Sequence, residues 1–145
     1  MTNLKDVFNT NVRASPRKPF LGTRAKKLNE KNEVEFGDYE WKTFQQVHDD
    51  CTAFSKYLMH KNLCPKVSTD EGSLRFLSIY AKNREEWVVS DFACILAGIT
   101  VVTLYDTLGK DSIEHILDQT YMKTVVCQAD KVQTLINLKK EGKIP

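Results

Sequence analysis

From Phe44 onward the apolar residues Phe44, Val47, Cys51, Phe54 and Leu58 advance by 3, 4, 3 and 4 positions. That spacing places them on one face of a helix. Thr43, with Gln46 three residues later, forms a capping box that predicts where the helix starts. Upstream, Leu4, Val7, Phe8 and Val12 predict a short amphipathic helix within residues 2–18, closed by Pro16 and Pro19. "FLGTRAK" reads as extended. "YEWKTF" alternates aromatic and β-branched residues, which predicts a strand pairing with it across the polar insert "KLNEKNEVEFGD".

After "CPKVSTDEGS", a polar connector rich in turn formers, the period changes repeatedly. "LRFLSIYA", "ITVVTLY" and "KTVVCQ" read as strands, and a helical segment follows each. The first of these helices has Asn83 as its expected N-cap, Glu85 and Glu86 in its first turn, and an end near Gly98. Its residues Trp87, Val88, Phe92, Ile95 and Leu96 leave few polar faces, so it is expected to be buried on more than one side. The second starts near Lys110 and carries Ile113, Ile116 and Leu117; the third runs to Lys140, with Gly142 as its terminator. The β-α-β-α-β-α alternation implies right-handed crossovers and a parallel sheet. The expected fold class is therefore α/β: a parallel-sheet β-α-β-α subdomain preceded by a short β-hairpin. Residues 1–38 form an N-terminal arm, first strand and polar insert, and residues 39–145 form the α/β subdomain.

Composition adds limits. A length of 145 residues with 41% hydrophobic content suits an ordinary globular domain. The longest mostly apolar run, residues 92–105, is too short to span a bilayer. The net charge of +2 is uneven, because residues 1–31 carry Lys5, Arg13, Arg17, Lys18, Arg24, Lys26, Lys27 and Lys31 against Asp6 and Glu30. A basic head of this kind is a solvated segment, a cleavable presequence, or a grip for phosphate, an anionic membrane or nucleic acid. Cys51, Cys64, Cys94 and Cys127 have neither CxxC spacing nor a histidine at ligand distance, which argues against zinc. They fit small buried hydrophobes in a reducing, intracellular compartment. His48, His60 and His115 stand apart from one another on expected helices.

In a parallel sheet, ligands gather beyond the carboxyl ends of the strands. The candidate segments are thus Asn83–Glu86, Tyr105–Lys110 and Gln128–Asp130. "TLGKD" fails as a phosphate loop, since Leu104 stands where its first glycine belongs and Asp111 where Ser/Thr belongs. The chain contains no GxGxxG after a strand, no GxSxG and no HExxH. Glu85 and Glu86 are adjacent on a helix, about 100° apart, and do not converge as a catalytic pair. Asp106 and Gly109 read as turn and N-cap residues, with ligand contact by Tyr105, Asp106 or Thr107 as the alternative. No catalytic, cofactor-binding or metal-binding residue is assigned.

"LSIYAKNREEWVVSDFACILAGITVVTLYDTLGKDSIEHILDQTYMKTVVC" resembles the N-terminal part of long-chain acyl-CoA synthetases, the fatty-acid branch of the adenylate-forming ligases. The likeness runs from about Leu4 to Lys140. It is carried most strongly by Asn83, Arg84, Glu85, Glu86 and Trp87 at a helix start and by Tyr105, Asp106, Thr107, Leu108 and Gly109 at a turn. Alignment of the basic head with a mature segment of the family also weakens the presequence reading. One departure is Thr103, where the family often has proline.

The resemblance implies activation of a fatty acid by ATP and magnesium to an acyl-adenylate, then transfer to coenzyme A. The family's phosphate loop, Tyr-Gly-x-Thr-Glu stretch, ribose-binding Asp and lid lysine are not in this sequence. The chain is therefore expected to bind none of these cofactors alone and to be inactive by itself. Its expected partner is the remainder of a ligase or, for a dead relic serving as a structural subunit, an assembly covering its apolar face. A free-standing nucleotide- or acyl-binding module is the third reading. No nucleic-acid partner is expected; a membrane surface enters by analogy, and so do the cytoplasm, mitochondrion, peroxisome and endoplasmic reticulum as locations.

Overall fold

A computed structural model describes residues 3–70 and 72–145. Met1 and Thr2 of the expected N-terminal arm, and Glu71 of the polar connector, lie outside the described residues. The chain divides into two compact units, 1–50 and 51–145.

In the first unit, α1 (Leu4–Ala14) opens at Asn3, whose side chain accepts the Asp6 N–H at 2.9 Å. Phe8 and Val12, one turn apart, are its buried residues, whereas Leu4 and Val7 stay exposed, so the buried stripe is narrower than the sequence period implies. β1 (Pro19–Leu28) and β2 (Val34–Thr43) then form an antiparallel ribbon. It is longer than the expected short hairpin, because strand pairing runs through most of the polar insert to the pair Leu28–Val34. The Asn29 side chain closes the remaining loop by accepting the Lys31 and Glu33 N–H groups. Phe20 stacks on Phe44 at 4.3 Å and lies 6.1 Å from Phe8, which is 5.7 Å from His48. These rings form the unit's small core.

α2 (Phe44–His60) starts with the expected capping box: the Gln46 side chain accepts the Thr43 N–H at 2.8 Å, and Thr43 Oγ1 accepts the Gln46 N–H at 3.3 Å.

In the second unit, β3 (Lys66–Thr69) pairs antiparallel with β4 (Gly72–Tyr80), so a strand occupies part of the stretch expected to be a connector. α3 (Glu85–Ala97) follows and ends on Gly98, whose φ of 65° is the left-handed cap the sequence anticipates. Next come β5 (Thr100–Leu104), α4 (Lys110–Gln119), β6 (Val125–Cys127) and α5 (Ala129–Lys140). Gly142, at φ 70°, stands just beyond α5.

β4 lies at the centre, parallel to both β5 and β6. Since Ser78, Ile79 and Tyr80 pair with both neighbours, β5 and β6 occupy opposite edges of β4. The chain therefore crosses one way through α3 and back the other way through α4. Right-handed crossovers then put those helices on opposite faces. Side-chain alternation along β4 agrees with this. Leu77 and Ile79 pack with Leu58 of α2 and Cys94 of α3, while Phe76 and Tyr80 pack with Ile113 and Leu117 of α4 and Leu138 of α5. Between them Ser78 is fully buried, and its hydroxyl donates to the Val102 carbonyl at 2.9 Å. The sheet is therefore covered on both faces, as a parallel sheet requires.

Candidate functional site

Reversal of strand order at β4 creates a topological switch, and crevices of doubly wound sheets open at the carboxyl ends of strands at such points. A cleft of about 600 Å³ lies there, lined by Ala81, Lys82, Asn83 and Trp87 after β4 and by Thr103, Leu104, Tyr105 and Asp106 at the end of β5. The sequence places both signature segments at this edge, and of their residues Asn83, Trp87, Tyr105 and Asp106 line the cleft, whereas Arg84, Glu85, Glu86, Thr107, Leu108 and Gly109 do not.

Each candidate residue has a definite place. Asn83 lines the cleft but does not cap α3; the N-cap is Arg84, in extended conformation and without a side-chain cap bond. This corrects the expected cap by one residue. The Arg84 guanidinium turns instead onto Glu86, with Nε and Nη2 donating at 2.6 and 2.7 Å. That bidentate pair raises the guanidinium pKa further. Glu85 and Glu86 lie in the first turn of α3, beside the positive end of its dipole. Trp87 lines the cleft and also packs against the core cluster that includes Leu77 and Ile79.

On the β5 side, the Leu108 N–H donates to the Tyr105 carbonyl at 3.1 Å and closes a turn. This leaves Tyr105 70% exposed, while Leu108 packs onto the core. Asp106 faces Lys82 at 3.7 Å, and its carbonyl accepts from Lys131 Nζ at 3.3 Å. Thr107 is exposed, and Gly109 is the N-cap of α4, as its type suggests. At φ −68° Gly109 needs no left-handed conformation, and a Cβ there would meet nothing within 4 Å.

Sequence reading alone did not single out Lys131 or Tyr80, yet with Lys82 they tie the edge together. Gln128 accepts the Lys82 N–H through Oε1 at 2.7 Å, and its own N–H donates to the Tyr80 carbonyl at 3.2 Å. Lys131 Nζ also lies 5.2 Å from the centre of the Tyr80 ring. These contacts latch the exits of β4, β5 and β6 to one another. Only strand order reveals that these three exits are neighbours, and strand order is not written in local periodicity.

The amino ends of α3, α4 and α5 all follow carboxyl ends of parallel strands, the arrangement that binds phosphate in many α/β proteins. Here each first turn carries its own carboxylates: Glu85 and Glu86, Asp111, and Asp130. They satisfy the helix dipoles and oppose a second anion. The cleft lysine Lys82 is already turned to Asp106. These residues do not fit the triphosphate of ATP. Among the described residues no three His, Cys, Asp or Glu side chains converge on a metal position.

Residues 13–145 match the AMP-binding enzyme family. The chain is 32% identical over 133 residues to long-chain-fatty-acid–CoA ligase 5 of Rattus norvegicus, covering 92% of this chain and 17% of that protein. To long-chain-fatty-acid–CoA ligase 1 of Cavia porcellus it is 34% identical over 128 residues, covering 88% and 16%. It thus spans less than a fifth of the length of these curated relatives. Among solved structures, the A-PCP didomain of carboxylic acid reductase from Segniliparus rugosus in complex with AMP superposes with a TM-score of 0.73 at 15% identity, covering 91% of this chain and 18% of that one. The anthranilate CoA ligase AuaEII in complex with anthranoyl-AMP also gives 0.73, at 17% identity, covering 99% and 23%. At these identities the structures establish the fold, and the family match establishes descent: the chain belongs to the AMP-binding enzyme family and is homologous to the N-terminal region of its adenylate-forming acyl-CoA ligases.

Proposed function

We propose that this chain serves as the N-terminal α/β segment of a long-chain fatty-acid–CoA ligase, and that it has no ligase activity by itself. The observation that carries this reading is the family match over residues 13–145, on a chain whose cleft lysine faces Asp106 and whose helix amino ends carry their own carboxylates. Adenylyl transfer needs cationic and backbone donors placed around the phosphates, together with magnesium. In this reading ATP, Mg2+ and coenzyme A are held by residues of the enzyme outside this chain. The turn Tyr105–Gly109, with Tyr105 projecting, packs this segment against the rest of the ligase. Four free cysteines, three of them buried, support a reducing, intracellular setting.

Fatty-acid-dependent ATP–pyrophosphate exchange tests the claim of inactivity. The purified 145-residue chain is expected to give background exchange only; turnover above background refutes it. A dead relic serving as a structural subunit would give the same background, and the size of the native polypeptide separates the two.

A further inference from the structure

On the β1–β2 ribbon, positions 22, 24, 26 and 28 pair directly with 41, 39, 36 and 34, so these eight residues share one face. Trp41 lies over Gly22, where a Cβ would meet the indole at 3.0 Å, and the Tyr39 and Trp41 rings are 5.8 Å apart. Arg24 and Lys26 stand 5.4 and 5.9 Å from the Phe36 ring centre. Leu28 and Val34 continue the face towards the loop.

Three features set this face apart. Its five large apolar side chains are between 49% and 65% exposed and contiguous, whereas exposed apolar residues on a surface are ordinarily scattered. No carboxylate occupies any of its eight positions: Glu35 and Glu40 pair at the alternate positions with Lys27 and Thr23. Among the described residues, neither Arg24 nor Lys26 pairs with a carboxylate; Arg24 donates to the Phe36 and Gly37 carbonyls at 2.7 and 3.0 Å and keeps its charge over the ring. The ribbon thus presents aromatic and aliphatic groups with two cations on one side, whereas on the other Glu35 and Glu40 stand with Lys27 and Lys42.

We propose that this face docks flat on an anionic lipid bilayer surface. Tyr and Trp carry an apolar ring and a polar handle, the combination favoured at the lipid–water boundary, and Arg and Lys reach lipid phosphates while their stems stay on apolar surface. The two cations without a facing carboxylate orient the ribbon, since a negative surface attracts this face more than the opposite one, where Lys27 and Lys42 are offset by Glu35 and Glu40. A second copy of the chain fits poorly, because self-pairing would bring Arg24 and Lys26 against the same cations. The inference rests on the ribbon alone and does not depend on the ligase reading.

The test mixes the 145-residue chain with phosphatidylcholine vesicles, with and without phosphatidylserine, and follows tryptophan emission and quenching by brominated acyl chains. A saturable blue shift and quenching are expected with phosphatidylserine only, abolished in Trp41→Phe and by high salt. Lys26→Gln is expected to weaken binding about five-fold, the effect of one cation near such a surface, while Glu40→Gln on the other face does not weaken it. Circular dichroism of each variant confirms that the fold is kept. Absence of a shift with anionic vesicles overturns the proposal, as does equal binding to neutral ones. So does a shift with single-stranded RNA but not with vesicles, or an indole already shielded in a longer native polypeptide before vesicles are added.

Discussion

Gln128→Ala removes the side chain that latches the exit of β6 to the exit of β4. The lost bond, from the Lys82 N–H at 2.7 Å, is worth about 0.5–1.5 kcal/mol net. Lys82 is exposed and water replaces the carbonyl, so the lower half of that range applies, about 0.5–1 kcal/mol. The Gln128 backbone bond to Tyr80 survives, which confines the effect to residues 81–84. Amide exchange at Lys82 should therefore accelerate about two- to five-fold, since 1.4 kcal/mol is a factor of ten. Gln128→Glu keeps an acceptor at the same reach and should preserve the slow Lys82 exchange. Hydrogen exchange read residue by residue by NMR is the assay. If Gln128→Ala leaves Lys82 unchanged, or speeds every amide of the unit equally, no local latch exists at this edge.

Other expectations concern the core and its thiols. Ile79→Ala, at a fully buried position of the central strand, should destabilise by about 2–5 kcal/mol, read from the urea midpoint at unchanged m. Gly98→Ala meets no steric obstacle but forces a side chain to φ 65°; about 1–2 kcal/mol should be lost, with Gly98→Asn milder. Burial, reinforced by the neighbouring Cys64 and Asp91, pushes the Cys94 thiol up to about 12 from 9.0. Because the folded state keeps a proton that the unfolded chain releases, stability should fall as pH rises from about 9 towards 12, and this thiol should leave it unchanged below that window. At neutral pH a maleimide should label the buried cysteines only after denaturation, as intact mass would show.

The parts legible in the sequence are those where one period dominates. The helix around Val47 and Leu58 and the β4-to-α5 alternation each bury a regular stripe, so spacing alone reveals them. The ribbon beyond Tyr39 was hidden because both its faces meet solvent and its residues look like loop composition; strand pairing and the Asn29 loop hold it instead. β3 is four residues on an edge, too short to establish an alternation. The cap of α3 was misassigned because Asn83 has the better capping chemistry, yet the chain turns into the helix at Arg84, whose side chain goes to Glu86. The cleft was only half legible: its two signature segments stand out by type, but Gln128, Lys131 and Lys82 meet only through the order β5-β4-β6.

The central claim, that this chain is the front of a larger adenylate-forming ligase, is tested most directly by isolating the native polypeptide with an antibody to residues 1–145. Its intact mass and fatty-acid-dependent ATP–pyrophosphate exchange are then measured on the same sample. A polypeptide several times larger than 16.7 kDa that catalyses exchange is the expected result. A stable 16.7 kDa polypeptide without exchange, held in a complex of other proteins, would contradict the claim and identify the chain as a structural subunit.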